Sequence, residues 1–152
     1  MNFKIFGPYE IPRENGIICR TSRKVFWQQV EEREKDTRIS SACGCYLFAI
    51  KIGNCWTPWY VGRTDKQSFA KECLAHHNCT TYNETITARK GIPQLFLLAR
   101  MTPRGRFKAP APGRKSKDIS FLETLLIATA INKNPDLKNT KERIRKRSKK
   151  TS

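Results

Sequence analysis

Glu123 is the residue whose surroundings point most directly to chemistry. It is the only ionisable side chain between Ile119 and Asn132, in a stretch so apolar that its carboxylate is expected to be largely buried. A buried carboxylate is costly unless it is paired or binds a cation. Two readings follow: a salt bridge to one of the many arginines, or a ligand for a metal ion. A second group lies upstream, where Gly44-Cys45-Tyr46 opens one β-like run and Tyr60-Val61-Gly62 closes another. Antiparallel pairing would make Tyr46 and Tyr60 neighbours whose hydroxyls could share a site. A tyrosine exchanges protons only where its environment lowers its pKa, and Arg63 and Lys71 are the cations at hand. Ordinary packing of strand aromatics is the alternative.

The two histidines, His76 and His77, stand beside Cys73 and Cys79. Cys73-x-x-His76-x-x-Cys79 suggests zinc, but a structural site takes four ligands, and Cys55 or Cys45 would have to supply the fourth without a paired CxxC. Structural zinc is therefore not expected, and ordinary buried thiols are. Cys43 and Cys45 fall on one face of a strand, where core packing is the expected role.

These residues need a frame. Residues 1–21 contain Gly7-Pro8, Pro12 and Gly16 and read as an extended lead-in with little helix. Ser22 to Thr37 reads as a first helix capped by Ser22. Cys45 to Ile52 and Trp56 to Gly62 read as a hairpin around Gly53-Asn54, with Pro58 placing the start of the second strand at Trp59. Lys66 to about His77 has helical composition, Asn78 to Gly91 reads as a polar loop, and Gln94 to Met101 as a third strand. A helix capped by Asp118 or Ser120 runs to Ile131 and stops at Asn134-Pro135. The charge-free run at the helix, Thr124 to Asn132, is nine residues, against roughly 20 for a membrane span. Residues Met1 to Pro8 hold no apolar signal segment, so a cytoplasmic protein with reduced cysteines is expected.

The charge narrows the partners. Among 152 residues, 30 are Lys or Arg and 13 are Asp or Glu, a formal net charge of +17. A field of that sign gathers polyanions, with nucleic acid first and an anionic membrane surface second. The segment from Thr102 to Lys117 carries Arg104, Arg106, Lys108, Arg114, Lys115 and Lys117 without one acid, and reads as a mobile loop. The end of the chain carries Arg143, Arg145, Lys146, Arg147, Lys149 and Lys150. Such clusters suit phosphate contacts, which give affinity without sequence readout. Trp56, Trp59 and Phe107 are candidates to stack on bases.

Taken in order, Gly44-Cys45-Tyr46, Tyr60-Val61-Gly62, the helical Glu123 and the segment Asn134-Pro135-Asp136-Leu137-Lys138-Asn139 resemble the GIY-YIG nuclease superfamily, over about residues 42–139. The resemblance implies an α+β fold, a three-stranded antiparallel sheet flanked by helices. To this the chain adds an N-terminal extension with one helix (residues 1–41) and a basic flexible tail (residues 140–152). It also implies one divalent metal, Mg²⁺ or Mn²⁺, held by Glu123, with Tyr46 as proton acceptor, Tyr60 orienting water or phosphate, and Asn139 in support. His76 becomes a candidate contact to phosphate or base. The arginine that the family carries on the helix after its second motif is absent; Lys71 is nearest in position, and Arg63 could reach in from the strand end. The activity implied is hydrolysis of phosphodiester bonds, in DNA rather than RNA, by a monomer or homodimer. The competing expectations are a GIY-YIG-like binding module without turnover and a basic RNA-associated structural protein.

Overall fold

The computed structural model describes residues 2–36 and 38–139. Its elements are β1 (Phe3–Glu10), α1 (Arg20–Glu34), α2 (Arg38–Ser41), β2 (Gly44–Ile52), β3 (Cys55–Thr64), α3 (Phe69–Glu72), α4 (His76–Ala88), β4 (Ile92–Arg100) and α5 (Lys117–Lys133). The fold is α+β, with one antiparallel sheet in the order β1-β4-β2-β3. The sheet therefore has four strands, not three. The additional strand comes from the lead-in: β1 pairs with β4 from Phe3↔Arg100 to Glu10↔Gln94, its ladder interrupted between Phe6 and Tyr9. Gly7-Pro8 occupies that interruption. A proline cannot donate to a ladder, but an irregular edge strand accommodates it. Residues 1–41, read as an extension, thus contribute a strand, and Tyr9, Ile11, Ile18, Phe26, Trp27 and Val30 join the main core.

The hairpin register is Tyr46↔Gly62 and Phe48↔Tyr60, with a bulge that leaves Trp59 as the extra residue. β3 starts at Cys55, before Pro58, because it is an edge strand and the bulge absorbs the missing donor. Central β2 is covered on both faces, which is why its sequence reads as a nearly continuous apolar run. One face carries the large cluster of Tyr46, Phe48, Leu95 and Leu97 with side chains of α1, α3 and α4. The other carries Cys43, Cys45, Leu98 and Ile119, then Val61, Ile127, Ala130 and Leu137, all under α5 or the turn after it.

The helices differ from expectation in three places. α1 begins at Arg20 with Cys19 as its cap, and the Ser22 hydroxyl accepts the Cys19 amide from inside the first turn at 3.1 Å. The helix expected over residues 66–77 is a single turn, α3, and the expected loop that follows contains α4. Threonines disguise α4: Thr80, Thr81, Thr85 and Thr87 bond their hydroxyls to carbonyls four residues back, while Asn78, Tyr82 and Thr85 form its buried face. α5 is capped by Ser116, not by Asp118 or Ser120. Among the described residues, no helix is long and apolar enough to cross a membrane.

Candidate functional site

The two glycine motifs have separate steric causes. Gly44, at φ +150°, lies so close to β4 that a Cβ would overlap the Leu98 carbonyl. Gly62 lies under the Tyr46 ring, and a Cβ there would overlap Tyr46 Cζ. Tyr46 thus sits flat on its cross-strand partner, with the Tyr60 ring centroid 6.4 Å away. The two tyrosines are neighbours, as the hairpin reading expects.

Tyr46 is only 1% exposed. Its hydroxyl accepts a hydrogen bond from Asn78 Nδ2 at 2.8 Å and donates toward Glu72 Oε1 at 3.4 Å. Burial, then the nearby Cys73, Tyr60 and Glu72, hold the hydroxyl well above its ordinary pKa, outweighing the Asn78 bond. The direction is opposite to the lowering expected from Arg63 and Lys71. Lys71 is exposed, and its carbonyl and that of Ala70 accept bonds from Arg23 at 3.2 and 2.7 Å.

Alternation along the strands sends Tyr46 and Arg63 to opposite faces. Arg63 goes under α5, where Nη1 donates to Ser120 Oγ at 2.5 Å and Nε stands 3.8 Å from Glu123 Oε1. Glu123 is half-buried rather than largely buried, because α5 turns Phe121 and Leu125 outward and leaves Glu123 at the margin of the contact. Its arginine neighbour is the salt-bridge reading, at a separation too long for a hydrogen bond.

Past the end of β3 the two faces meet in a cleft of about 220 Å³ lined by Arg63, Thr64, Asp65, Lys66, Gln67 and Glu72. Glu72 closes it on the Tyr46 side, and its Oε1 lies 3.5 Å from His77 Nε2. His76 instead lines a separate cavity of about 390 Å³ with Arg20, Arg23 and Cys79. Asn139 is far from solvent: its amide donates to the Val61 carbonyl at 2.7 Å and accepts the Val61 amide at 2.9 Å, so it pairs with the outer edge of β3 as a further strand would. Asn134 does the same at the Pro58 carbonyl, at 2.7 Å.

The basic segment is not a free loop. Met101 bridges Phe107, the Lys108 amide bonds the Arg100 carbonyl, and the Phe107 ring packs on Phe6 at 5.5 Å. Asp65 then ties it to the cleft, accepting the Ala111 amide at its carbonyl (3.1 Å) and the Ser116 amide at Oδ2 (3.0 Å). Arg104, Arg106, Lys108, Arg114, Lys115 and Lys117 are all exposed along this segment. Arg143, Arg145, Lys146 and Arg147 lie outside the described residues. Of the aromatic stacking candidates, Trp59 and Phe107 are packed inward, and partly exposed Trp56 bonds Gln94 at 2.5 Å at the opposite end of the hairpin.

All six cysteines are free thiols. Among the described residues, no group of three or more His, Cys, Asp or Glu is arranged to hold a metal ion. Cys73 and His76 do not converge: the Cys73 thiol is fully buried, while His76 is exposed.

Glu72, Asn78 and His77 escape a reading by motif. Their one trace in the sequence is that Glu72 falls in the stretch searched for a helical arginine. No family model matches the chain, and no characterised protein or solved structure matches it either.

Proposed function

We propose that this chain is a GIY-YIG-like nuclease that binds nucleic acid, DNA in the first instance, across the cleft at the end of β3 and hydrolyses a phosphodiester there. The observation that carries the reading is the junction at Asp65. One residue lines the cleft and also anchors a segment bearing six exposed cations, so a backbone held by that segment would pass over Arg63, Lys66 and Glu72. Those cations supply salt-sensitive affinity. Arg63 and Lys66 offer donors to a phosphate.

For a divalent metal the donor set is one half-buried carboxylate, Glu123. That fits only a hard cation that keeps most of its waters, such as Mg²⁺ or Mn²⁺. When bound, the ion supplies charge neutralisation for the phosphate. A cytoplasmic location is part of this proposal, on the expectation that the six cysteines are reduced.

Supercoiled plasmid incubated with the protein and Mg²⁺, Mn²⁺ or EDTA tests this, with Glu123→Ala in parallel. We expect metal-dependent nicking or linearisation that disappears in the variant. A second reading, a binding module without turnover, is favoured by Arg63 standing beside Glu123, where a guanidinium competes with a metal. Plasmid that is retarded on a gel yet intact in every metal would establish that reading instead.

A further inference from the structure

We infer that Glu72 is the catalytic base of the cleft, the group that takes the proton of the attacking water, with Tyr46 and His77 as its positioning residues. The inference rests on the phosphodiesterase reading above and names the residue that this reading lacks. Hydrolysis needs an acceptor that touches the water, and the tyrosine of the first motif does not reach the cleft. Tyr46 lies behind Glu72 with its hydroxyl engaged by Asn78 and Glu72. The side chain of Glu72 is 24% exposed and lines the cleft directly. Its orientation is constrained on three sides. Tyr46 donates from β2, His77 approaches from α4, and Asn78 Nδ2 holds the Glu72 carbonyl at 2.7 Å.

The charged and titratable groups around Glu72 are Tyr46 of β2, Arg63 of β3, Asp65 and Lys66 of the following turn, Lys71 and Cys73 beside it in the chain, and His77 of α4. The cations at the mouth draw a phosphate in, and the carboxylate behind them is placed to meet its water.

In the step, an O–H bond of water breaks and the proton goes to a Glu72 carboxylate oxygen. The water oxygen bonds to phosphorus as the bond from phosphorus to the sugar oxygen breaks. That oxygen leaves with the electron pair and takes a proton from solvent. The side chain of His77, 68% exposed, offers Glu72 a route to return its proton to bulk water.

Glu72→Gln keeps the shape and the acceptor for Tyr46 but removes the basicity. Cleavage should fall about 10²- to 10⁴-fold, with DNA affinity retained and with the rise of rate on the acid side of the pH profile flattened. Glu72→Ala should regain part of the lost rate on adding formate, which a purely structural role would not allow. Circular dichroism checks that both variants fold, and Glu72→Asp, which keeps a carboxylate, should retain the acid limb if Gln does not fold. Wild-type rate and an unchanged pH profile in Glu72→Gln, with Glu123→Ala inactive, overturn Glu72 alone and leave the nuclease standing. Loss of rate with no formate rescue and an intact acid limb also overturns it. Wild-type protein that binds DNA and cuts none removes both.

Discussion

Helices α1, α3 and α4 cover one face of the sheet with large aromatic side chains, whereas α5 covers the other with aliphatic side chains, packed on a face that presents Cys43, Cys45 and Arg63. On the first face Phe48 stacks on Tyr82 at 4.2 Å, Tyr82 meets Tyr60 edge-on at 6.2 Å, and Tyr46 lies against Gly62. On the second, Cys45, Leu98 and Ile119 make a small cluster, and α5 leaves Phe121 and Leu125 60% and 52% exposed. The difference separates two tasks. The aromatic face is interlocked, so it can hold Tyr46, Asn78 and Glu72 to a fixed geometry. The α5 face has shallower packing and carries Arg63 and Glu123 at its margin, where charge stays hydrated at small cost.

The largest effect should come from cutting into the interlocked face. Phe48→Ala removes a fully buried ring stacked on Tyr82, and a loss of about 3–5 kcal/mol is expected in chemical denaturation. Cys45→Ala on the opposite face removes one sulfur and its weak bond to the Ile119 carbonyl, for about 1 kcal/mol. Equal losses would erase the contrast between the faces. The Cys45 thiol gives an independent check: burial, then the charge of Glu123, pushes it up to about 12, so it should resist alkylation in native protein while exposed Cys55 reacts.

A smaller effect is expected from the seam between strands. Gly62→Ala forces the Tyr46 ring off its partner, and the overpacking should cost about 1–3 kcal/mol. Because Tyr46 also bonds Glu72, the proposed nuclease function predicts that the same change slows cleavage without weakening DNA binding. Gly44→Ala should cost more stability, since the obstacle there is the Leu98 backbone, which cannot rotate away. If Gly44→Ala is the milder of the two, backbone approach is not what the first motif glycine provides.

The hairpin was readable because Cys45 to Ile52 is rich in β-formers and Gly53-Asn54 marks the turn, and its register follows once the strands pair. β1 was not, because a strand holding Gly7-Pro8 looks like turn chemistry until a neighbour supplies a ladder for its ends. α4 was hidden by threonines, whose hydroxyls rejoin the helix's own carbonyls in a way that composition does not show. Within the site, Tyr46, Tyr60, Arg63 and Glu123 were visible as types in a pattern. What the pattern could not carry was depth. Tyr46 lies deeper than its motif suggests, and Glu123 shallower, because α5 is more apolar than its contact with the sheet requires. Asn139 was visible as a polar residue at a motif position, but its work is to occupy the backbone of Val61 and blunt the edge of β3. Glu72 could not be picked out in advance, since its selection depends on α3 being one turn long and α4 starting at once to bring His77 and Asn78 back to it.

The smallest effect lies at the start of α5, on the weaker face. Burial would raise the Asp118 carboxyl, but the Ser116 hydroxyl, the Arg100 guanidinium at 2.8 Å and the Ile119 amide outweigh it and hold the carboxyl below its ordinary value of 3.8. A carboxyl depressed by folding adds stability above its unfolded pKa and loses it as pH falls through the folded one. The pair is partly solvated, so its worth is about 0.2–1 kcal/mol, together with a small helix-dipole contribution from the first turn. At pH 6 Asp118→Asn should therefore melt only about 1–3 °C below wild type. The gap should close as pH drops below about 4, where wild type protonates the same group. A gap that stays constant from pH 3 to pH 7 would mean that Asp118 is held by shape and not by charge. The α5 face would then depend on packing after all, and the contrast with the aromatic face would be one of degree.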